Sequence, residues 1–122
     1  MITSKSMEGN YLTELTNGFC KVYANSEDDP KHLHPTEFVE TALSACMNIT
    51  TRMVLDRMSL KYDEVIVKVW VESATKEETT IKYNIDIKGD IDESVKRQII
   101  SKVYNCPMRK LLTSNIKVEE DS

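Results

Sequence analysis

The sequence predicts an α+β fold in which antiparallel sheets wrap a long, buried central helix. One observation is an apolar segment over residues 35–58 with no internal glycine or proline, as expected of a long helix. Another is a period of two after Tyr62, where aliphatic and polar residues alternate as they do in half-buried strands. The third is Asn17-Gly18, a strong hairpin signal between two short strand-like stretches.

The N-terminal region is expected to form a hairpin followed by a loop. Residues 11–15 and 19–23 have the composition of strands on either side of the turn. Residues 25–34 are polar and contain a proline, which is typical of a loop. His32 and His34 lie in this loop with no acidic or thiol ligand at a recognised spacing. We therefore expect no metal site there.

The long helix has an unusually wide apolar surface. Pro35 suits its first position, where the missing N–H group costs nothing. One face, at three- and four-residue spacing, carries Phe38, Ala42, Ala45, Cys46, Ile49 and Met53. An adjoining face carries Val39, Leu43, Met47 and Val54. Together they exceed the apolar stripe of a surface helix, so we expect this helix to be covered on several sides.

A second antiparallel hairpin is predicted after the helix. The first strand begins near Tyr62, and its valines at every second position between 65 and 71 form one aliphatic side. Residues 76–78 are charged and make the reversal, and residues 80–88 return with isoleucine and tyrosine on one face. Both strands are therefore expected to be buried on one side and solvated on the other.

The C-terminal part is predicted to contain two helices and an edge strand. Asp92 can cap a helix that runs through Tyr104. Pro107 suits the first position of a short helix that has Cys106 as its N-cap. Residues 115–119 alternate like an edge strand. The predicted order is β-β-α-β-β-α-α-β, in a single domain spanning the whole chain of 122 residues.

Composition excludes several classes of protein. The net charge of −4 leaves no basic surface to neutralise phosphates, so no nucleic-acid partner is expected. No apolar run approaches the roughly 20 residues that cross a bilayer, and the first residues carry no signal-peptide pattern, so we expect a cytoplasmic protein without a membrane partner. The three cysteines are odd in number and far apart, which indicates free thiols rather than a disulfide framework.

The three thiols differ in the environment that the sequence predicts. Cys106 at a helix N-terminus faces unpaired N–H groups that favour the thiolate, although an ordinary small N-cap residue explains it equally well. Cys46 lies in the middle of an apolar helix, where a buried and inert thiol is the simpler interpretation. Cys20 lies in a predicted strand without a partner motif and is best explained as small apolar filler or a half-exposed strand residue.

The two larger motifs together resemble a known family. One is Pro-x-Glu-(x)3-Thr-Ala-Leu-Ser-Ala-Cys, from Pro35 to Cys46, and the other is Cys-Pro-Met-Arg-Lys-Leu-Leu, which begins at Cys106. In this order and separation they resemble the OsmC/Ohr family of osmotically inducible and organic-hydroperoxide-resistance proteins. The resemblance covers nearly the whole chain, from the first hairpin to the last strand.

The resemblance implies an OsmC-like fold, an intertwined homodimer and thiol peroxidase chemistry. Cys46 matches the peroxidatic cysteine, which is oxidised by an organic or lipid hydroperoxide to a sulfenic acid. Cys106 matches the resolving cysteine, which condenses with it to a disulfide. The implied reductant is an external dithiol, lipoyl-linked in some members. The chemistry uses no bound cofactor and no metal.

This sequence departs from the pattern of catalytic members at two places. They use an arginine from the N-terminal lobe, whereas no arginine occurs here before Arg52. They also have a glutamate directly after the helix's proline, whereas here Thr36 intervenes and Glu37 follows. Glu37 lies nine residues before Cys46, about 900° around an ideal helix and so on the opposite face. Candidate supporting residues are Glu37, as a charge at the helix start, and Arg52, Arg57 or Arg109 as substitutes for the arginine.

Two functions from different classes follow from these observations. The first is a cytoplasmic thiol peroxidase that reduces organic or lipid hydroperoxides through Cys46 and Cys106. The alternative is a catalytically weak dimer that binds an apolar small molecule or senses redox state, which the departures from the family pattern favour. A thiol-dependent hydrolase ranks last, because it needs a histidine base and the available histidines, His32 and His34, lie in the predicted loop.

Overall fold

A computed structural model describes residues 1–121 of the chain. Its elements in chain order are β1 (Thr3–Ser6), β2 (Thr13–Thr16), β3 (Lys21–Ala24), α1 (Pro35–Arg57), β4 (Glu64–Ala74), β5 (Thr79–Lys88), α2 (Glu93–Val103) and α3 (Pro107–Leu112). The strands pair antiparallel in two separate sheets, and α1 is the longest helix of the described chain. The predicted α+β class, with antiparallel sheets and one long helix, is confirmed.

The chain divides into two compact units, which are described separately. The N-terminal unit comprises residues 1–39, and the C-terminal unit comprises the chain from Glu40 onward. Helix α1 begins in the N-terminal unit and continues through the C-terminal one. The assignment of the whole chain to a single domain stays a prediction.

In the N-terminal unit, β1, β2 and β3 form an antiparallel sheet in that order. The predicted hairpin is β2–β3, and residues 17–20 make its turn. Asn17 Oδ1 accepts hydrogen bonds from the backbone N–H groups of Phe19 (2.9 Å) and Cys20 (3.0 Å). Gly18 has a φ of +99°, which favours glycine. Strand β1 adds an edge to this hairpin that the sequence did not predict.

In the C-terminal unit, β4 and β5 form the second predicted hairpin. The alternating apolar residues stand opposite one another, in the pairs Val65–Ile87, Val67–Ile85, Val69–Tyr83 and Val71–Ile81. The register shifts between Val71 and Ser73, which is a local irregularity in β4. The aliphatic pairs place one apolar face of the hairpin on the core.

Helix α1 buries a single stripe in this chain. The buried positions, one turn apart, are Leu43, Met47, Thr51 and Leu55. Ile49 and Met53 on another face remain 46% and 53% exposed, and Ala45 above them is exposed as well. One chain therefore leaves the Ala45–Ile49–Met53 face about half exposed, and its coverage on several sides stays a prediction.

Helices α2 and α3 follow the prediction closely, whereas the last strand does not form. Ile99 and Val103 of α2 are fully buried. Asp92 is the N-cap of α2, but its side chain makes no cap hydrogen bond. Residues 115–119 are not part of a strand. The alternation of apolar and polar residues here does not reflect a strand. Its apolar residues, Ile116 and Val118, are 53% and 94% exposed, so they do not pack on the core.

Candidate functional site

Polar side chains one turn apart hold α1 to the backbone of β4. The bonds join Glu40 Oε2 to Val71 N (3.1 Å), Ser44 Oγ to Val67 O (3.2 Å) and Asn48 Nδ2 to Val65 O (2.9 Å). These contacts satisfy backbone groups of β4 that its partner strand β5 leaves unpaired. Cys46 lies between the second and third anchors along α1, so these bonds fix its position relative to the hairpin.

Cys106 is positioned as the N-cap of α3. Its backbone is extended, with φ −63° and ψ 147°, and Pro107 starts the helix. The backbone N–H of Cys106 donates to Val103 O (2.9 Å), and its carbonyl accepts from Lys110 N (3.1 Å). Its side chain belongs to the apolar core, and the residue is 1% exposed. Cys106 therefore connects the end of α2 to α3 from inside the core.

The structure brings Cys46 and Cys106 together. Cys46 is half-buried and packs against the same core in which Cys106 is buried. Both are free thiols, and Cys46 is close enough to raise the pKa of Cys106. The pair joins the middle of α1 to the start of α3, two elements that are distant in the sequence. Two neighbouring thiols can exchange between a reduced and a disulfide form.

Burial dominates the ionisation of Cys106. Removal from water raises the pKa of this thiol, because the charged thiolate loses its hydration. The backbone N–H groups of Arg109 and Met108 oppose this effect, and the neighbouring Cys46 adds to it. The N–H groups at the helix start therefore favour the thiolate as expected, but burial outweighs them and the net change in the pKa is upward. Helix α3 has only six residues, so its dipole stabilises the thiolate only weakly against the effect of burial.

Glu37 forms hydrogen bonds at the start of α1. Its Oε1 accepts a hydrogen bond from the backbone N–H of His34 (3.1 Å), and its own backbone N–H donates to His34 O (2.9 Å). The same oxygen lies 3.3 Å from His34 Nε2. This reciprocal arrangement resembles a capping box. It accords with the interpretation of Glu37 as a charge at the helix start.

The candidate arginines have different contacts. Arg52 donates from Nε to Asn48 Oδ1 (2.9 Å), so it braces one of the anchors on β4. Arg109 lies with its guanidinium carbon 3.3 Å from the centre of the Tyr104 ring. Its contact with Cys106 is through the backbone N–H rather than the guanidinium. Arg57 occupies the last turn of α1, where a cation suits the helix dipole.

Tyr104 is a residue of this region that the sequence did not indicate. It is 50% exposed, follows the end of α2 and supports the guanidinium of Arg109. Tyrosine and arginine five residues apart meet here because the extended backbone of Cys106 turns the chain between two helices. No helical or strand periodicity predicts such a pair.

Cys20 and the loop histidines make local contacts within the N-terminal unit. Cys20 is exposed in the hairpin turn, with Sγ 3.6 Å from Asn17 Oδ1. His32 Nδ1 lies 2.8 Å from Asp29 Oδ2. Within residues 1–121 no group of three or more His, Cys, Asp or Glu side chains is placed to hold a metal ion.

Comparisons with known proteins agree on one family. The sequence profile of the family described as OsmC-like protein matches residues 27–121. Among curated protein sequences, no relative matches this chain.

No helix within residues 1–121 is long and apolar enough to cross a membrane.

Solved structures share the fold at low sequence identity. An OsmC-like protein from Mycoplasma pneumoniae has a TM-score of 0.74 and 16% identity, over 92% of this chain and 85% of that one. An organic hydroperoxide resistance protein OsmC from Legionella pneumophila has a TM-score of 0.67 and 19% identity, over 94% and 90%. The organic hydroperoxide resistance protein OhrB of Bacillus subtilis has a TM-score of 0.61 and 13% identity, over 94% and 90%. These similarities show the fold alone.

Proposed function

Since the chain belongs to the OsmC-like family, we propose that it is a cytoplasmic, cofactor-free thiol peroxidase that reduces organic or lipid hydroperoxides. The observation that carries this proposal is the meeting of Cys46 and Cys106. Structural neighbours from Legionella, Elizabethkingia and Bacillus named organic hydroperoxide resistance proteins support it. The apolar residues packed around the thiols suit an alkyl hydroperoxide better than hydrogen peroxide.

The first step would occur at Cys46, the less buried of the two thiols. Its thiolate attacks the terminal oxygen of the hydroperoxide, so that an S–O bond forms and the O–O bond breaks. The leaving alkoxide takes a proton and departs as an alcohol, and Cys46 becomes a sulfenic acid. Sulfur is oxidised by two electrons and the peroxide is reduced by two.

Cys106 would resolve this intermediate. Its sulfur attacks the sulfenic sulfur of Cys46, the S–S bond forms, the S–O bond breaks, and the hydroxyl leaves as water. The proton that the Cys106 thiol loses in this step goes to the leaving hydroxyl, so the condensation needs no other acid. A dithiol or lipoyl-type reductant then restores both thiols by exchange.

The exposed face of α1 supports the homodimer that the family implies. Ile49 and Met53 remain about half exposed in one chain and lie one turn apart with Ala45. Such a stripe on a long helix matches the side chains that pack between paired helices. A second copy of the chain would cover it.

A second candidate is a redox-sensing or small-molecule-binding dimer without turnover. The observation that favours it is the position of two candidate arginines, Arg52 and Arg109. Arg52 is bonded to Asn48, and Arg109 is stacked on Tyr104. Neither guanidinium is directed by these contacts to Cys46, so a slow thiol switch would need no further activating group.

The experiment that separates these functions is hydroperoxide consumption with cumene hydroperoxide and a dithiol. We expect the wild type to turn over and Cys46→Ser to be inactive, because the attacking sulfur is lost. Cys20→Ser is the matched control, since this thiol is exposed and bonded within its own hairpin turn. It should retain the wild-type rate.

Peptide mapping after one equivalent of hydroperoxide tests the second step. We expect a disulfide between Cys46 and Cys106 of the same chain, and a persistent sulfenic acid at Cys46 in Cys106→Ser. A wild-type rate no faster than that of the free dithiol would reject the peroxidase and favour the second candidate. Cross-linking through Cys20 instead would contradict the assigned pair.

A further inference from the structure

A cavity of about 350 Å³ opens in the C-terminal unit, between α1, β5 and α3. Its lining residues are Leu43, Met47, Glu78, Thr79, Thr80, Ile81, Tyr83, Tyr104, Arg109, Leu112 and Thr113. Neither Cys46 nor Cys106 is among them. The cavity has the size of a small-molecule site. It is therefore a candidate binding site separate from the thiol chemistry.

The walls of this cavity suit an apolar body with one polar end. Ile81 comes from β5 and Leu112 from α3, and both are half-buried, whereas Leu43 and Met47 of α1 are 4% and 0% exposed. The rings of Tyr83 and Tyr104 add flat, partly apolar surface. Apolar walls with a few convergent polar groups are typical of sites that orient an amphipathic ligand.

Arg109 supplies the cation at this cavity. Its guanidinium is held over Tyr104 at 3.3 Å, and Nη1 reaches Tyr104 O at a long 3.5 Å. It forms no ion pair with a carboxylate of residues 1–121. A guanidinium has five N–H donors in a planar fork that matches a carboxylate. Most of these donors remain available to a ligand.

The charge around the cavity favours an anion over a cation. Glu78 is the one acidic lining residue, and it is exposed at the β4–β5 turn, where its backbone bonds Thr75. A neighbouring cavity of about 440 Å³ shares the two tyrosines and adds Arg97. Two arginines therefore flank the tyrosine wall against a single glutamate.

We infer that this cavity binds a small amphipathic monocarboxylate, with its apolar chain against Ile81, Tyr83 and Leu112 and its carboxylate on Arg109. The stacked Tyr104 holds the guanidinium in place before the ligand arrives, which reduces the ordering that binding requires. The carboxylate can accept two parallel N–H bonds from the planar fork. This inference does not depend on peroxidase activity, because neither thiol lines the site.

The test is calorimetric titration of the reduced protein with octanoate and, separately, octan-1-ol. Octanoate should bind more tightly than octanol to the wild type, because the alcohol cannot form the charged pair. Arg109→Gln should weaken octanoate binding about tenfold and leave octanol binding nearly unchanged. Lys110→Gln is the matched control, since it removes the neighbouring positive charge from a residue that does not line the cavity. Its effect should stay below about twofold.

Glu78→Gln should have the opposite effect on octanoate affinity from Arg109→Gln. It removes the one negative charge at the cavity, so octanoate should bind about two- to threefold more tightly. The Cys46→Ser protein should bind octanoate as the wild type does, which separates this inference from the proposed peroxidase. Equal binding of octanoate and octanol, equal losses in Arg109→Gln and Lys110→Gln, or weaker binding in Glu78→Gln would overturn the proposal.

Discussion

The two compact units are stabilised in different ways. Before Glu40 the buried residues are Ala24 and Asn25 alone among those described. Here the loop after β3 is organised by Asp29. Its carboxylate contacts His32 Nδ1 (2.8 Å), the backbone N–H of Lys31 (2.8 Å) and Asn25 Nδ2 (2.9 Å). The N-terminal unit therefore relies on the backbone bonds of its sheet and, in this loop, on polar bonds to one carboxylate.

The C-terminal unit relies instead on an apolar core. Its buried members are Leu43, Met47, Leu55, Val65, Ile85, Ile87, Ile99, Val103 and Cys106. Four elements and the segment after α2 contribute to this cluster. The candidate thiol site therefore belongs to the part of the chain where packing dominates. Substitutions there should act through cavities, whereas changes in the loop should act through ionisation.

The largest effect is expected from Ile99→Ala in α2. Ile99 is fully buried, so truncation leaves a cavity and should lower the free energy of unfolding by about 2–5 kcal/mol. Urea unfolding followed by circular dichroism measures the change. The matched control is Ile116→Ala, since Ile116 is 53% exposed and its truncation should change stability by less than about 0.5 kcal/mol. Similar losses in both variants would contradict the location of the core.

The elements that were predicted correctly carry strong local signals. Asn17 and Gly18 meet the backbone requirements of the hairpin turn. The alternation in β4 and β5 and the start of α1 at Pro35 match the structure. Strand β1 was missed because Thr3–Ser6 is polar, exposed throughout and has no apolar alternation. Its pairing with β2 depends on backbone bonds, which leave no pattern in the sequence.

The sequence indicated which two cysteines to compare, but not how deeply Cys106 is buried, and the roles of both cysteines stay a prediction. The motifs and the family resemblance named Cys46 and Cys106, and the structure places them together. The depth at which Cys106 is buried results from long-range packing of α1, α2 and the hairpin, and local sequence does not encode it. For the same reason the Tyr104–Arg109 stack was not foreseen.

A smaller effect is expected at alkaline pH from Cys106. Burial raises the pKa of this thiol in the folded state, so its contribution to stability is complete below the unfolded pKa, about 8.5. That contribution is lost as the pH rises from there toward the folded pKa. Unfolding of the reduced protein between pH 7 and 10 should show a decline that is shallower in Cys106→Ala. Cys20→Ala is the control, because this thiol is exposed, and its loss should leave the decline of stability with pH as in the wild type.

The smallest effect on stability is expected at acid pH from Asp29. It tests whether the loop of the N-terminal unit depends on the ionisation of this carboxylate. The His32 side chain, the Lys31 backbone N–H and the Asn25 side chain lower the pKa of Asp29 from 3.8 to about 2. Its stabilising contribution is therefore present above the unfolded value and is lost as the pH falls toward about 2.

Carbon-detected NMR titration of the aspartate carboxyl groups would measure this pKa directly. Asp29→Asn should remove the acid-dependent loss of hydrogen-exchange protection at the Lys31 amide, because that amide donates to the carboxylate. Asp28→Asn, one residue away and exposed, should leave that loss unchanged. If the amide lost protection at the same pH in Asp29→Asn as in the wild type, another group would organise this loop. The contrast between an ionisation-dependent unit and a packing-dependent one would then no longer hold.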